Sequence, residues 1–205
     1  MTADAGAAVT DALWLDVLQQ VCGRAAHEVK GALNGVAVNL EVVRSRAERP
    51  DAPAAAVATF ANAAVDQLGI VISLSDALLS LLRPPREPAT PGPVFVRLAA
   101  LLAPAVRVQG GRLNLHGEFD GLAVTPARPS AVGMSVGACL LAAIDASRDV
   151  RCRPEAAGQG SETVVRIECG AGMAPAVDPE ILVAAAEAGI HIVAESSVIS
   201  ISFPR

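Results

Sequence analysis

Apolar positions in the first part of the chain recur every three or four residues. From Asp11 to about Arg46 they fall at Leu18, Cys22, Ala25, Val29, Ala32, Val36, Leu40 and Val43. That spacing predicts one long helix with a seam facing another helix. At roughly 1.5 Å per residue it would be on the order of 50 Å long, more than a small core can cover. Residues 1 to about 10 are small and polar, and a frayed tail is expected there. Glu48-Arg49-Pro50-Asp51-Ala52-Pro53 breaks the pattern. It resumes from about Ala54 to Leu82 with Val57, Ala61, Ala64, Leu68, Val71, Ser75, Leu78 and Leu82. Two long helices with a short connection predict an antiparallel hairpin. Leu33, Val38, Ile70, Ile72 and Leu74 lie beside the seams, and a second copy of the hairpin would cover them in a four-helix bundle. A homodimer is therefore expected.

The run Arg83-Pro84-Pro85-Arg86-Glu87-Pro88, with Pro91 and Pro93 after it, cannot continue a helix. It divides the chain into a helical hairpin (1–83), a proline-rich linker (84–93) and a second domain (94–205). In that domain the pattern changes. Helices are expected over about Pro93–Ala105, Ala131–Ala146 (with Ser130 as cap) and Pro179–Ala188. Strands are expected at Val106–Val108, Arg112–Leu115, Leu122–Val124, Thr163–Glu168, Ile190–Val193 and Val198–Phe203. Gln109-Gly110-Gly111 is read as a turn. The fold class expected is α+β: a helical hairpin followed by an α/β sandwich with helices on one face.

Composition narrows the function. The chain is 52% hydrophobic but only 2% aromatic, which favours close helix packing over an aromatic-filled β-sandwich. A net charge of −5 opposes nucleic-acid binding, which needs a basic stripe. No charge-free run of 18 apolar residues occurs, so no membrane span is expected, and no signal peptide is read at Met1-Thr2-Ala3-Asp4. Cys22, Cys139, Cys152 and Cys169 lack C-x-x-C spacing. They read as small buried hydrophobes in a reducing cytoplasm.

Candidate chemistry concentrates in Ala26-His27-Glu28-Val29-Lys30-Gly31-Ala32-Leu33-Asn34. Ala25 and Val29 belong to the seam, so His27, midway between them, faces water. An exposed imidazole can act as a nucleophile. Glu28 can set its tautomer or take its proton. Lys30 can help neutralise an incoming phosphoryl group, and Asn34 can hydrogen-bond two turns away. By spacing alone, an ordinary solvated histidine accounts for the same residues.

This segment resembles the phosphoacceptor box of two-component histidine kinases, in which His, an acid, a basic residue, Pro-Leu and a small polar residue sit on the first helix of a dimeric hairpin. His27, Glu28, Lys30, Leu33 and Asn34 match, whereas Gly31 and Ala32 replace the usual Asn or Thr and Pro. The second domain resembles the ATP-binding domain of those kinases but departs at its ligands. The family's Asn-Leu-Leu-x-Asn-Ala helix reads Ala138-Cys139-Leu140-Leu141-Ala142-Ala143 here, and methyl groups cannot hold magnesium. Its Asp-x-Gly-x-Gly loop reads Glu168-Cys169-Gly170-Ala171-Gly172, and Met173 to Gly189 holds no second glycine-rich phosphate loop. The resemblance implies a bacterial, cytoplasmic phosphorelay histidine phosphotransferase, without ATP-dependent autokinase activity. It would exchange a phosphoryl group on His27 with response-regulator receiver domains and bind no cofactor of its own, the receiver supplying any magnesium. Two alternatives are a sensor kinase with a degenerate ATP site and a non-catalytic pseudokinase that binds receivers.

Overall fold

The structure, a computed structural model, describes residues 2–49, 53–81, 88–155, 162–171 and 173–205. Five helices and five strands follow in the order α1 (Thr2–Ala47), α2 (Ala54–Leu81), α3 (Pro91–Val108), β1 (Arg112–Leu115), α4 (Pro129–Ala146), β2 (Asp149–Pro154), β3 (Glu162–Cys169), α5 (Pro179–Glu187), β4 (His191–Glu195) and β5 (Val198–Pro204). The protein is α+β, as its sequence pattern predicts.

The sheet has strand order β1-β2-β3-β5-β4. Its β1–β2 pair is parallel, with α4 as the crossover, and the remaining pairs are antiparallel. Alternation in β2, β3 and β5 sends Val150, Cys152, Val165, Ile167, Cys169, Ile199, Ile201 and Phe203 to one buried face. Helices α3, α4 and α5 cover that face. The opposite face carries Arg112, Arg151, Arg153, Arg166 and Glu168 and meets solvent.

The N-terminal half of α1 lies across this helical layer as a third tier. Val17, Val21 and Ala25 are buried there with Leu98 of α3 and the residues of α4 in one core. Two glycines of α4 make the close approach possible. A Cβ on Gly133 would lie 2.9 Å from Trp14 Cζ2, and one on Gly137 would lie 2.5 Å from Val17 Cγ1. The C-terminal half of α1 instead packs on α2. Gly35 lies against Gln67, and the Arg46 guanidinium sits 4.8 Å from the Phe60 ring centroid, so the two helices run antiparallel.

Several local expectations are corrected. The helix begins at Thr2, so there is no frayed ten-residue tail. The buried stripe of its first half runs through Val17 and Val21 and not through Leu18 and Cys22, because that half faces α3 and α4. Val106–Val108 forms the last turn of α3, since the apolar spacing Phe95, Leu98, Leu102, Val106 continues through it. Leu122–Val124 is not a strand; Thr125 alone bridges Ala89. Pro129 takes the first turn of α4 with Arg128 as N-cap, which displaces Ser130 from the cap. The strand β2 was not expected. The bounds of the proline linker also change: α3 already starts at Pro91, and residues 82–87 lie outside the described ones.

By length and composition α2, α3 and α4 are each apolar enough to cross a membrane. Half or more of α3 and α4 is buried in the core, whereas only 6% of α2 is. The face α2 leaves uncovered carries Val65, Leu68, Ile72 and Leu79, each 45–66% exposed, in mostly heptad-like steps. Leu33 and Leu40 of α1 are exposed as well, and so are two residues assigned to seams by pattern, Leu40 and Leu68.

Candidate functional site

His27 is exposed on α1, between buried Ala25 and partly buried Val29. It stands where the helix passes from its packing on α3 and α4 to its packing on α2. An open groove of about 510 Å³ runs beside it, lined by Gln20, Gly23, Arg24, His27 and Glu28 of α1, Ala105 of α3, Gln109 just after it, and Asp145 of α4. The imidazole is therefore presented at a junction between the hairpin and the sheet domain, open to a large partner on one side and walled on the other.

The four sequence-predicted residues separate into two groups. His27 and Glu28 share the groove. Lys30 and Asn34 are exposed on the same helix and do not line it. With 3.6 residues per turn, Asn34 falls on nearly the same helix face as His27, two turns on, and Lys30 lies to the side away from Glu28. Among the described residues, the side chains of His27, Glu28, Lys30 and Asn34 make no hydrogen bond or ion pair, so all four are available to a partner. Gly31 is spacious: a Cβ there would meet nothing within 4 Å.

Sequence reasoning missed Arg24 and Asp145. Arg24 Nη2 donates to both carboxylate oxygens of Asp145, at 2.9 and 3.0 Å, tying α1 to the C-terminal end of α4. Arg24 sits one turn before His27, a spacing visible in the sequence. Asp145 is 121 residues away, and only the fold brings it into the groove.

The positions matched above to a kinase-type magnesium-nucleotide site lie on α4 and at the end of β3. Ala138 is buried and Ala142 half-buried on α4, and neither carries an oxygen ligand. Glu168 is on the solvent face of β3, where its Oε1 lies 2.7 Å from Arg153 Nη2. Its neighbour Cys169 is the residue facing α4, with Sγ 3.9 Å from the Ala143 carbonyl. Gly170 and Ala171 are exposed, and Gly172 lies outside the described residues. Among the described residues no three His, Cys, Asp or Glu side chains converge as a metal-binding set.

Cys139, Cys152 and Cys169 are buried as expected, whereas Cys22 is only partly buried. Burial raises all four thiols, and it pushes Cys152 up to about 12, with Cys169 adding to the effect. A second cleft, of about 410 Å³, lies on the open sheet face among Arg112, Asn114, His116, Arg151 and Arg153. Arg112 pairs with Asp149 and Arg153 with Glu168, both acids of the same cleft, and Arg151 makes no ion pair among the described residues.

No family model matches the chain. No curated protein matches it either. Among solved structures it is similar to a bacterial phosphotransferase, with 17% identity, 92% of this chain and 95% of that one covered, and a TM-score of 0.42. It is also similar to the histidine kinase AdeS of Acinetobacter baumannii, with 14% identity, 87% and 97% coverage, and a TM-score of 0.40. At that distance neither likeness assigns a role to any residue.

Proposed function

We propose that this protein is a histidine phosphotransferase of a two-component phosphorelay, carrying a phosphoryl group on His27 between the aspartates of receiver domains. The observation that carries the reading is the placement of His27: exposed, without a partner, beside Glu28, on a helix whose sequence resembles the phosphoacceptor box. In the forward step an imidazole nitrogen attacks the phosphorus of a receiver aspartyl phosphate. The N–P bond forms as the bond from phosphorus to the carboxylate oxygen breaks, and the carboxylate is the leaving group. The imidazole proton passes to Glu28 or to water. Lys30 and Asn34 meet the incoming group or the receiver surface from the same helix. Positioning and charge dominate such transfers, and the receiver's acidic pocket brings the magnesium.

The misfit of Ala138, Ala142 and Glu168 to a magnesium-nucleotide site favours this reading over a working autokinase. It leaves the sheet domain as a wall that buries the first half of α1 and fixes where His27 points. The uncovered apolar face of α2 supports a homodimer in which two hairpins form a four-helix bundle. The reading is tested by incubating the protein with a phosphorylated receiver domain. Label should move to the wild type and not to His27→Ala, and equal labelling of the two would refute it.

A further inference from the structure

Arg24 and Asp145 lie in the same groove as His27, and their geometry suggests more than a tether. On a helix, residues three apart are about 5–6 Å apart at Cβ, so the Arg24 guanidinium can reach a group carried on His27. A phosphoryl group there brings close to two negative charges and three acceptor oxygens. Planar guanidinium forks bind such groups through paired, charge-assisted hydrogen bonds. In the unphosphorylated protein one arm of that fork, Nη2, is occupied by both oxygens of Asp145, at 2.9 and 3.0 Å, so paired binding of another group through that arm requires Asp145 to give way. The pair is partly exposed, with the Arg24 side chain 31% and that of Asp145 63% accessible, so its net strength is small and it is open to exchange.

Resting on the phosphoacceptor reading of His27, we propose that Arg24 is the phosphoryl ligand of this site and that Asp145 competes for it. When phosphate arrives, Arg24 leaves the carboxylate and turns to the phosphoryl oxygens. This removes one of the two ion pairs that join α1 to the sheet domain among the described residues, the other being Asp11–Arg128 at 3.6 Å. Charging His27 thereby removes a polar tether between α1 and α4, while the apolar packing of Val17, Val21 and Ala25 stays in place. Freed Asp145, beside Glu28, adds negative charge to the groove and favours discharge. The ion pair thus acts as a counterweight: it holds Arg24 in place before transfer and opposes retention of phosphate after it.

Two substitutions break the same ion pair and separate this proposal from a purely structural tether. Arg24→Gln removes the phosphate ligand, while Asp145→Asn removes the competitor and leaves the ligand free. The probe is phosphoramidate, a small phosphodonor whose P–N bond breaks as the N–P bond to the imidazole forms, with the imidazole proton leaving on ammonium. Label on His27 is followed by peptide mapping, with His27→Ala as the blank and thermal melting as the check on folding. Arg24→Gln should label about tenfold more slowly than wild type, the loss expected for one charge-assisted hydrogen bond. Asp145→Asn should label faster and hold its phosphate longer, and Arg24→Lys should recover part of the rate. Changes in the same direction for Arg24→Gln and Asp145→Asn, or none in either, would overturn the proposal while leaving His27 a phosphoacceptor. A folded wild type that takes no label at His27 would overturn both readings.

Discussion

Replacement of Gly137 by alanine tests how α1 is held where it presents His27. A Cβ at that position would lie 2.5 Å from Val17 Cγ1, with Leu98 Cδ1 and Trp14 Cζ3 both at 3.6 Å. Ordinary carbon–carbon contact is about 3.5–4.0 Å, so Val17 or α1 must yield by about 1 Å. Val17 is 2% exposed and β-branched, so it has little rotamer freedom with which to do so. Overpacking of this kind costs about 1–3 kcal/mol. Against it stands a gain of about 0.5–1 kcal/mol from exchanging a mid-helix glycine for alanine. The net expectation is destabilisation of about 1 kcal/mol and at most about 2.5 kcal/mol, with roughly 2–4 °C in midpoint for each kcal/mol in a chain of this length. Gly31→Ala is the internal control. Nothing lies within 4 Å of its Cβ, so only the helix gain applies and the midpoint should rise by a degree or more. Adding Val17→Ala to Gly137→Ala should relieve the clash, so that the double variant is less destabilised than the sum by at least about 0.5 kcal/mol. Urea or thermal unfolding of the wild type, the three single variants and the double variant measures this. A Gly137→Ala protein stabilised as much as Gly31→Ala would refute the close packing of α1 on α4.

Other expectations follow from the same structure. Light scattering or sedimentation should show a dimer for the wild type and a monomer for Ile72→Glu, whose charge would fall in the middle of the exposed α2 stripe; a wild type monomeric at high concentration would contradict the bundle. Calorimetry with magnesium and ATP should show no binding, and saturable binding would reinstate the kinase alternative. Buried thiols bind their protons more tightly than unfolded ones, so stability is full below the ordinary thiol value of 9.0 and declines as pH rises from there through about 12 for Cys152, a decline that Cys152→Ala should reduce.

Much of this fold is legible in the amino-acid pattern. The hairpin, α5 and the strands β1, β3, β4 and β5 follow from periods of 3.6 and 2. Their ends are set by Pro179 and Pro204, and by Asp178, whose side chain caps α5. The errors have physical causes. Val106–Val108 consists largely of β-branched residues, but its place on the continuing apolar stripe of α3 outweighs that preference. The strand β2 alternates Val150 and Cys152 inward with Arg151 and Arg153 outward. Its arginines and Pro154 disguised it, because the solvent face of the sheet carries charge. The division of α1 between two packing environments could not be read either. Both halves repeat at three and four residues, and only Gly133 and Gly137, far away in sequence, reveal that the first half packs on α4. For the same reason His27 and Glu28 are visible as a motif whereas Asp145, which shares their groove, is not.

Transfer of label from a phosphorylated receiver to the intact protein, followed by mapping of the acid-labile phosphate, tests the central claim most directly. The label should be found on His27, not on His116 or His191, and should return to a second, unphosphorylated receiver when one is added. Label on another residue, or a wild type that stays unlabelled across the receivers of its own cell, would contradict the account.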